Sequence, residues 1–229
     1  MLRWIIAIAT GSLATTAVAQ VSFNASIVSD YRFRGVSLSQ GEPAAQLTAS
    51  YDHNSGWYAG LFGSNVQFDP GSSREAQLTG FTGFARRIGS GLSVDAGASF
   101  STFSGGENYN YLELQAGVTA SALAARLYFA PNYFEQGLST LYGELNGSHR
   151  LADRLKLVAH GGVLKVSGSG DGLDSGDRPH LDLLVGVEYQ IQSMTLQVSR
   201  VANDGVSRVY PLTANHVGGI WTVRLSAAF

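Results

Sequence analysis

From Val21 onward, apolar and polar side chains alternate residue by residue through most of the chain. Successive side chains of a strand point to opposite faces, whereas a helix repeats every 3.6 residues, so period two predicts β-strands. In the first stretch Val21, Phe23, Ala25, Ile27, Tyr31 and Phe33 share one face, and Ser22, Asn24, Ser26, Asp30, Arg32 and Arg34 the other, which predicts a strand reaching Arg34. Ala45, Leu47, Ala49 and Tyr51 then oppose Gln46, Thr48, Ser50 and Asp52. The alternation recurs around Leu92–Phe100, Tyr111–Val118, Leu123–Phe129, Leu141–Asn146, Leu155–Val163, Leu181–Gln190, Met194–Ser199 and Trp221–Phe229. Two stretches are less regular: Trp57 to Val66 has aromatics on both faces, and Glu75 to Arg87 is expected to hold a bulge.

About twelve strands of roughly ten residues follow from this pattern. Their connections alternate in length. Short ones are expected after Asp52, Arg87, Val118, Arg150 and Gln190, and longer Gly-, Ser- and Asp-rich ones after Arg34, Gln67, Phe103, Ala130, Val166 and Ala202. Tight turns at one end and long loops at the other are the pattern of an outer-membrane barrel. A soluble β-sandwich also alternates, but its outer face is rich in Lys and Glu. Here the polar face is mostly Ser, Thr, Gly and Gln with single charges, as suits a lumen. The expected fold is therefore all-β, a transmembrane antiparallel up-and-down barrel.

Composition sharpens this choice. Only 14% of residues are charged against 45% hydrophobic, and a soluble domain carries about 25% charge. No apolar run reaches the roughly 18 residues of a spanning helix, and the mean hydropathy is only +0.05. The net charge of −2 leaves no electrostatic footprint for nucleic acid. With no Cys, neither a disulfide scaffold nor a thiolate metal site is available.

Arg3, the apolar stretch Trp4 to Ala9 and Ala17-Val18-Ala19 have the order of a secretory signal, with cleavage expected between Ala19 and Gln20. Residues 1–19 are thus the expected leader and residues 20–229 the barrel domain. Tyr31, Tyr51, Trp57, Trp221 and Phe229 lie near predicted strand ends, where an aromatic girdle is expected to meet outer-membrane lipid. The terminal Phe229 resembles the C-terminal signature by which outer-membrane assembly machinery recognises its substrates.

Ser29-Asp30-Tyr31-Arg32-Phe33-Arg34-Gly35-Val36-Ser37, continued by Pro43-Ala44, Tyr51, Gly56-Trp57-Tyr58-Ala59-Gly60-Leu61 and Ser64-Asn65-Val66, resembles the TorF family of porin-like proteins, also named Gcw_chp. Asn110 to Val118 is similar to its middle block, and Phe62 stands where a Trp is expected. The resemblance implies an outer-membrane barrel of porin type and carries no catalytic residues.

On the barrel register the inward acids are Asp30, Asp52, Asp95, Glu113, Glu144, Asp182 and Glu188, and the inward bases Arg32, Arg34, Arg126, Lys156 and Arg224, with His160. They can line a water-filled pore, or they can pair across strands and fill the interior. Arg32 and Arg34 are the candidates for a constriction or mouth; pairing with Asp30 or Asp52 is their alternative. His53, His149, His160, His180 and His216 lack metal-ligand spacing. No G-x-S-x-G occurs, and neither a cofactor nor catalytic residues are expected. The Gly- and Asp-rich stretch 167–179 reads as an external loop, because it lacks the ligand spacing of an EF-hand.

Three functions are compatible with these features. The first is a narrow pore for passive diffusion of small hydrophilic solutes or ions. The second is a non-conducting structural or adhesive barrel acting through its loops. The third and weakest is a lipid-modifying outer-membrane enzyme.

Overall fold

The computed structural model describes residues 20–69, 71, 73–105, 109–134, 137–168, 178–205, 210 and 219–229. The expected leader, His216 and most of the 167–179 loop lie outside these residues. The alternating stretches form the wall: β1 (Gln20–Val28), β4 (Ala44–Asp52), β5 (Trp57–Val66), β6 (Glu75–Ile88), β7 (Leu92–Phe103), β8 (Tyr111–Ala120), β9 (Leu123–Tyr133), β10 (Leu138–Ala152), β11 (Leu155–Ser167), β12 (His180–Ile191), β13 (Met194–Asn203) and β14 (Ile220–Ala228). Two short strands, β2 (Arg32–Phe33) and β3 (Val36–Ser37), stand apart from it.

Each wall strand pairs antiparallel with its neighbours in sequence order, and β1 pairs with both β4 and β14. The result is a closed twelve-stranded barrel without edges, so the backbone groups of the wall need no partner from hydrocarbon. At the seam, Phe229 N–H donates to Phe23 O at 3.0 Å and Phe23 N–H donates back to Phe229 O at 3.3 Å.

The apolar half of the pattern is on the outside. Val21, Phe23 and Ile27 of β1, Leu123, Leu127 and Phe129 of β9, and Leu181, Leu183, Val185 and Val187 of β12 are all exposed. An apolar exterior continued around a closed barrel is solvated by lipid chains, not by water. Tyr51, Trp57 and Phe229 are exposed at the short-turn end, and Trp221 at the long-loop end.

Three expectations are corrected. The first strand stops at Val28, so Tyr31 leaves the exterior altogether and is buried, 7% exposed. The ladder of β6 runs against β5 and β7 with no register shift; the shifts lie in β10, at Leu138/Thr140 and Arg150/Ala152. The irregular pattern of β5 and β6 arises because Tyr58, Phe62 and Phe81 point into the lumen while Trp57 and Leu61 face out. The connection expected to be long after Ala130 spans only 134–137, because β9 continues to Tyr133.

Candidate functional site in the barrel lumen

Between β1 and β4 the chain turns inward. Asp30 is buried and accepts hydrogen bonds from Arg32 Nε at 2.7 Å and Ser37 Oγ at 2.5 Å, while Ser39 Oγ accepts from Tyr31 N–H at 2.9 Å. These local bonds compete with the ladder and end the strand. Arg32–Phe33 then pairs with Val36–Ser37 across the turn Arg34-Gly35, whose φ values are 52° and 77°. Positive φ at both central residues is what a two-residue hairpin turn of the I′ type requires.

This hairpin crosses the lumen. On one side its tip meets β12 and β13: Asn203 Nδ2 donates to Gly35 O at 2.6 Å, and a Cβ at Gly35 would lie 2.7 Å from Asp182 Cβ. On the other side Arg34 Nη2 donates to Glu113 Oε1 of β8 at 2.6 Å, with both side chains buried. The Arg34 guanidinium carbon is 4.2 Å from the ring centroid of Tyr142, 4.7 Å from Phe33, 5.3 Å from Tyr128 and 5.7 Å from Tyr133. Of the two rim pairings considered for the arginines, Arg32 takes Asp30, but Arg34 takes Glu113.

The hairpin continues into packed aromatic side chains towards the long-loop end. Tyr111 and Tyr133 have ring centroids 4.8 Å apart, Tyr133 and Phe134 4.6 Å, and Phe134 and Tyr210 5.6 Å; Phe103 and Phe68 join them. Tyr31 OH donates to Gln77 of β6 at 3.0 Å, and burial holds its phenol above the ordinary range and therefore neutral.

Beneath the hairpin is a cavity of about 420 Å³ lined by Arg32, Arg34, Glu113, Glu144, His160, Asp182, Glu188 and Arg224, among others. Its wall is a connected polar network. His160 Nδ1 is 2.8 Å from Asn146 Oδ1, its Nε2 is 2.7 Å from Asp182 Oδ1, and Tyr142 OH donates to Asp182 Oδ2 at 3.0 Å. Glu144 accepts from Tyr128 OH at 3.1 Å and Asn146 Nδ2 at 3.0 Å. A second cavity, of about 460 Å³, opens at the short-turn end, lined by Arg150, Asp153, Arg154 and Lys156, and Glu188 lines both.

The other inward charges lie away from these cavities. Asp95 and Arg126 pair at 3.2 Å over Gly117, where a side chain would collide with them. Asp52 is exposed at the short-turn end of β4. Sequence parity already puts Tyr128, Tyr142 and Asn146 inward, yet it does not single them out, and Asn203, Gln77 and Gly35 carry no signal of their hairpin contacts. Among the described residues no group of His, Asp and Glu is arranged to hold a metal ion.

The barrel is similar to solved outer-membrane porins. It matches the KdgM porin with a TM-score of 0.53 at 11% identity, over 93% of this chain and 99% of that one. It matches the NanC porin with a TM-score of 0.56 at 10% identity, over 92% and 99%. A monoaromatic hydrocarbon channel, the TodX deltaS2S3 mutant, gives 0.51 at 11% identity, over 92% and 89%. At these identities the likeness establishes the fold. No curated protein matches the sequence. The family model described as a bacterial protein of unknown function, Gcw_chp, matches residues 13–229, and the chain belongs to that family.

Proposed function

We propose that this protein is an outer-membrane channel for passive diffusion of small hydrophilic solutes or ions, with the β2–β3 hairpin as its constriction. The observation that carries this reading is the lumen below the hairpin: two charged cavities, one open at the short-turn end and one beneath Arg34, with Glu188 in the lining of both. Charged groups lining a narrow pore select by field and width. Arg32, Arg34, Glu113, Glu144, Lys156, His160, Asp182, Glu188 and Arg224 are the pathway residues on this reading. Asp30 fixes the hairpin, Asp95 and Arg126 brace the wall, and Asp52 is at the entrance. Tyr51, Trp57, Trp221 and Phe229 anchor the barrel in the two lipid interfaces, and Phe229 is the contact for the assembly machinery. A barrel of the same fold, the KdgM porin, has been solved in complex with disordered oligogalacturonate, which supports a role for such a barrel in handling a hydrophilic solute.

One observation favours a non-conducting barrel instead: the buried aromatic packing of Tyr111, Tyr133, Phe134 and Tyr210 at the long-loop end. Planar-bilayer recordings of the refolded protein separate the two. Discrete conductance steps support the channel, and a membrane that stays at background with folded protein inserted refutes it.

A further inference from the structure

Arg34 is held by parts of the wall that would recognise any guanidinium. Glu113 of β8 supplies a carboxylate at 2.6 Å, and Tyr128, Tyr133 and Tyr142 of β9 and β10 present rings at 5.3, 5.7 and 4.2 Å. A carboxylate with several aromatic faces is the chemistry that binds a desolvated cation. None of these four residues belongs to the hairpin, so the pocket is a feature of the barrel and Arg34 is its occupant.

Two local features weigh against the hairpin that delivers this occupant. Arg34 sits at φ 52°, a region that L-residues other than Asn and Asp rarely enter. In the same hairpin Arg32 Nη2 is buried without a hydrogen-bond partner among the described residues. The pocket is also approached through acidic surroundings. The wall of the cavity beneath the hairpin contributes Glu113, Glu144, Asp182 and Glu188 against Arg224 and His160, which pairs with Asp182, and the other two arginines, Arg32 and Arg34, arrive with the hairpin itself.

We propose that Glu113, Tyr128, Tyr133 and Tyr142 form a binding site for guanidinium-bearing solutes, for which Arg34 is the built-in ligand. An external guanidinium entering from the cavity competes with Arg34, and its binding releases the hairpin tip. This inference deepens the channel reading by naming a solute class, and only its consequence for permeation rests on that reading.

The test separates binding from conduction. Ethylguanidinium, which replaces the missing side-chain end, is titrated calorimetrically at millimolar concentration into folded barrels in detergent. Arg34→Ala is expected to bind it at least about tenfold more tightly than wild type, because the internal competitor is gone. Arg34→Ala with Glu113→Gln, and Arg34→Ala with Tyr142→Leu, are expected to lose about tenfold or more of that affinity. Arg34→Ala with Lys165→Gln, a change on the exposed outer face of β11, is expected to keep it. Arg34→Gln serves as the vacated site should Arg34→Ala not fold, with folding scored by gel mobility of the unheated barrel. Equal affinity in the Arg34 and Arg34/Glu113 variants, or no saturable binding to either vacated variant, overturns the site. Binding without conductance in bilayers keeps the site and refutes the channel; conductance without binding does the reverse.

Discussion

Arg34 and Glu113, 79 positions apart in the chain, meet nitrogen to oxygen at 2.6 Å inside the barrel. One is on a turn that leaves the wall, the other on the wall opposite, so this contact fixes how far the hairpin projects into the lumen. Removing one partner of a buried pair leaves an uncompensated charge, at about 3 to 5 kcal/mol. Glu113→Gln is expected to lower the temperature at which the folded band disappears on unheated gels, and to raise single-channel conductance. Arg34→Met with Glu113→Leu, which removes both charges, should recover most of that stability. A double variant as unstable as Glu113→Gln would show that the pair does not set hairpin stability.

The tip has no room for a side chain. Gly35 is at φ 77°, and a Cβ there meets Asp182 and Asn203. Gly35→Ala is therefore expected to cost the hairpin more than about 1 kcal/mol in backbone strain alone. The barrel wall should remain folded while conductance rises, since the ladders of β1 and β4 to β14 do not pass through the tip. Wild-type conductance in Gly35→Ala would place the constriction elsewhere.

Selectivity should follow the hairpin charges. Arg32→Ala with Arg34→Ala leaves Glu113, Glu144, Asp182 and Glu188 facing Arg224 and His160 around the cavity. The reversal potential in a KCl gradient is expected to move towards potassium. An unchanged potential would remove both arginines from the ion pathway.

The exterior is tested by depth. Val185 is 55% exposed near the middle of β12, whereas Ile88 ends β6 at the short-turn side. An arginine on a lipid-facing barrel surface costs about 2–4 kcal/mol at the midplane and about 0–1 near the interface. Denaturant titrations in lipid vesicles should thus show Val185→Arg clearly destabilised and Ile88→Arg little changed. Equal effects would contradict a membrane-embedded wall.

At the seam, deleting Phe229 removes the two backbone hydrogen bonds with Phe23 and the exposed aromatic that follows β14. The expected result is a lower yield of folded barrel in outer-membrane fractions, with the protein that does fold keeping its conductance. A normal yield would argue against Phe229 as an assembly contact.

The wall was legible because a strand's period is a local property. Leu181, Leu183, Val185 and Val187 declare one face of β12 whatever its neighbours are, and Asp182 and Glu188 declare the other. Parity failed where local side-chain bonding broke the strand. Tyr31, Arg32, Phe33 and Arg34 alternate as faithfully as the residues before them, but Asp30 bonds to Arg32 and Ser37 and bends the chain into the lumen. The motif carrying the family resemblance is this same stretch. In sequence it reads as the end of a strand, and in the barrel it is the hairpin that narrows the lumen.

Sequence alone determined that the chain alternates, closes with short turns at one end and longer loops at most connections of the other, and has too few charges for a water-facing surface. Those features follow from backbone geometry and the solvation of each face. Only the tertiary structure decided that Arg34 sits among Tyr128, Tyr133, Tyr142 and Glu113 and that Gly35 abuts Asp182 and Asn203. Those partners come from strands far apart in the chain, and no periodicity records which inward residues face one another once the barrel closes.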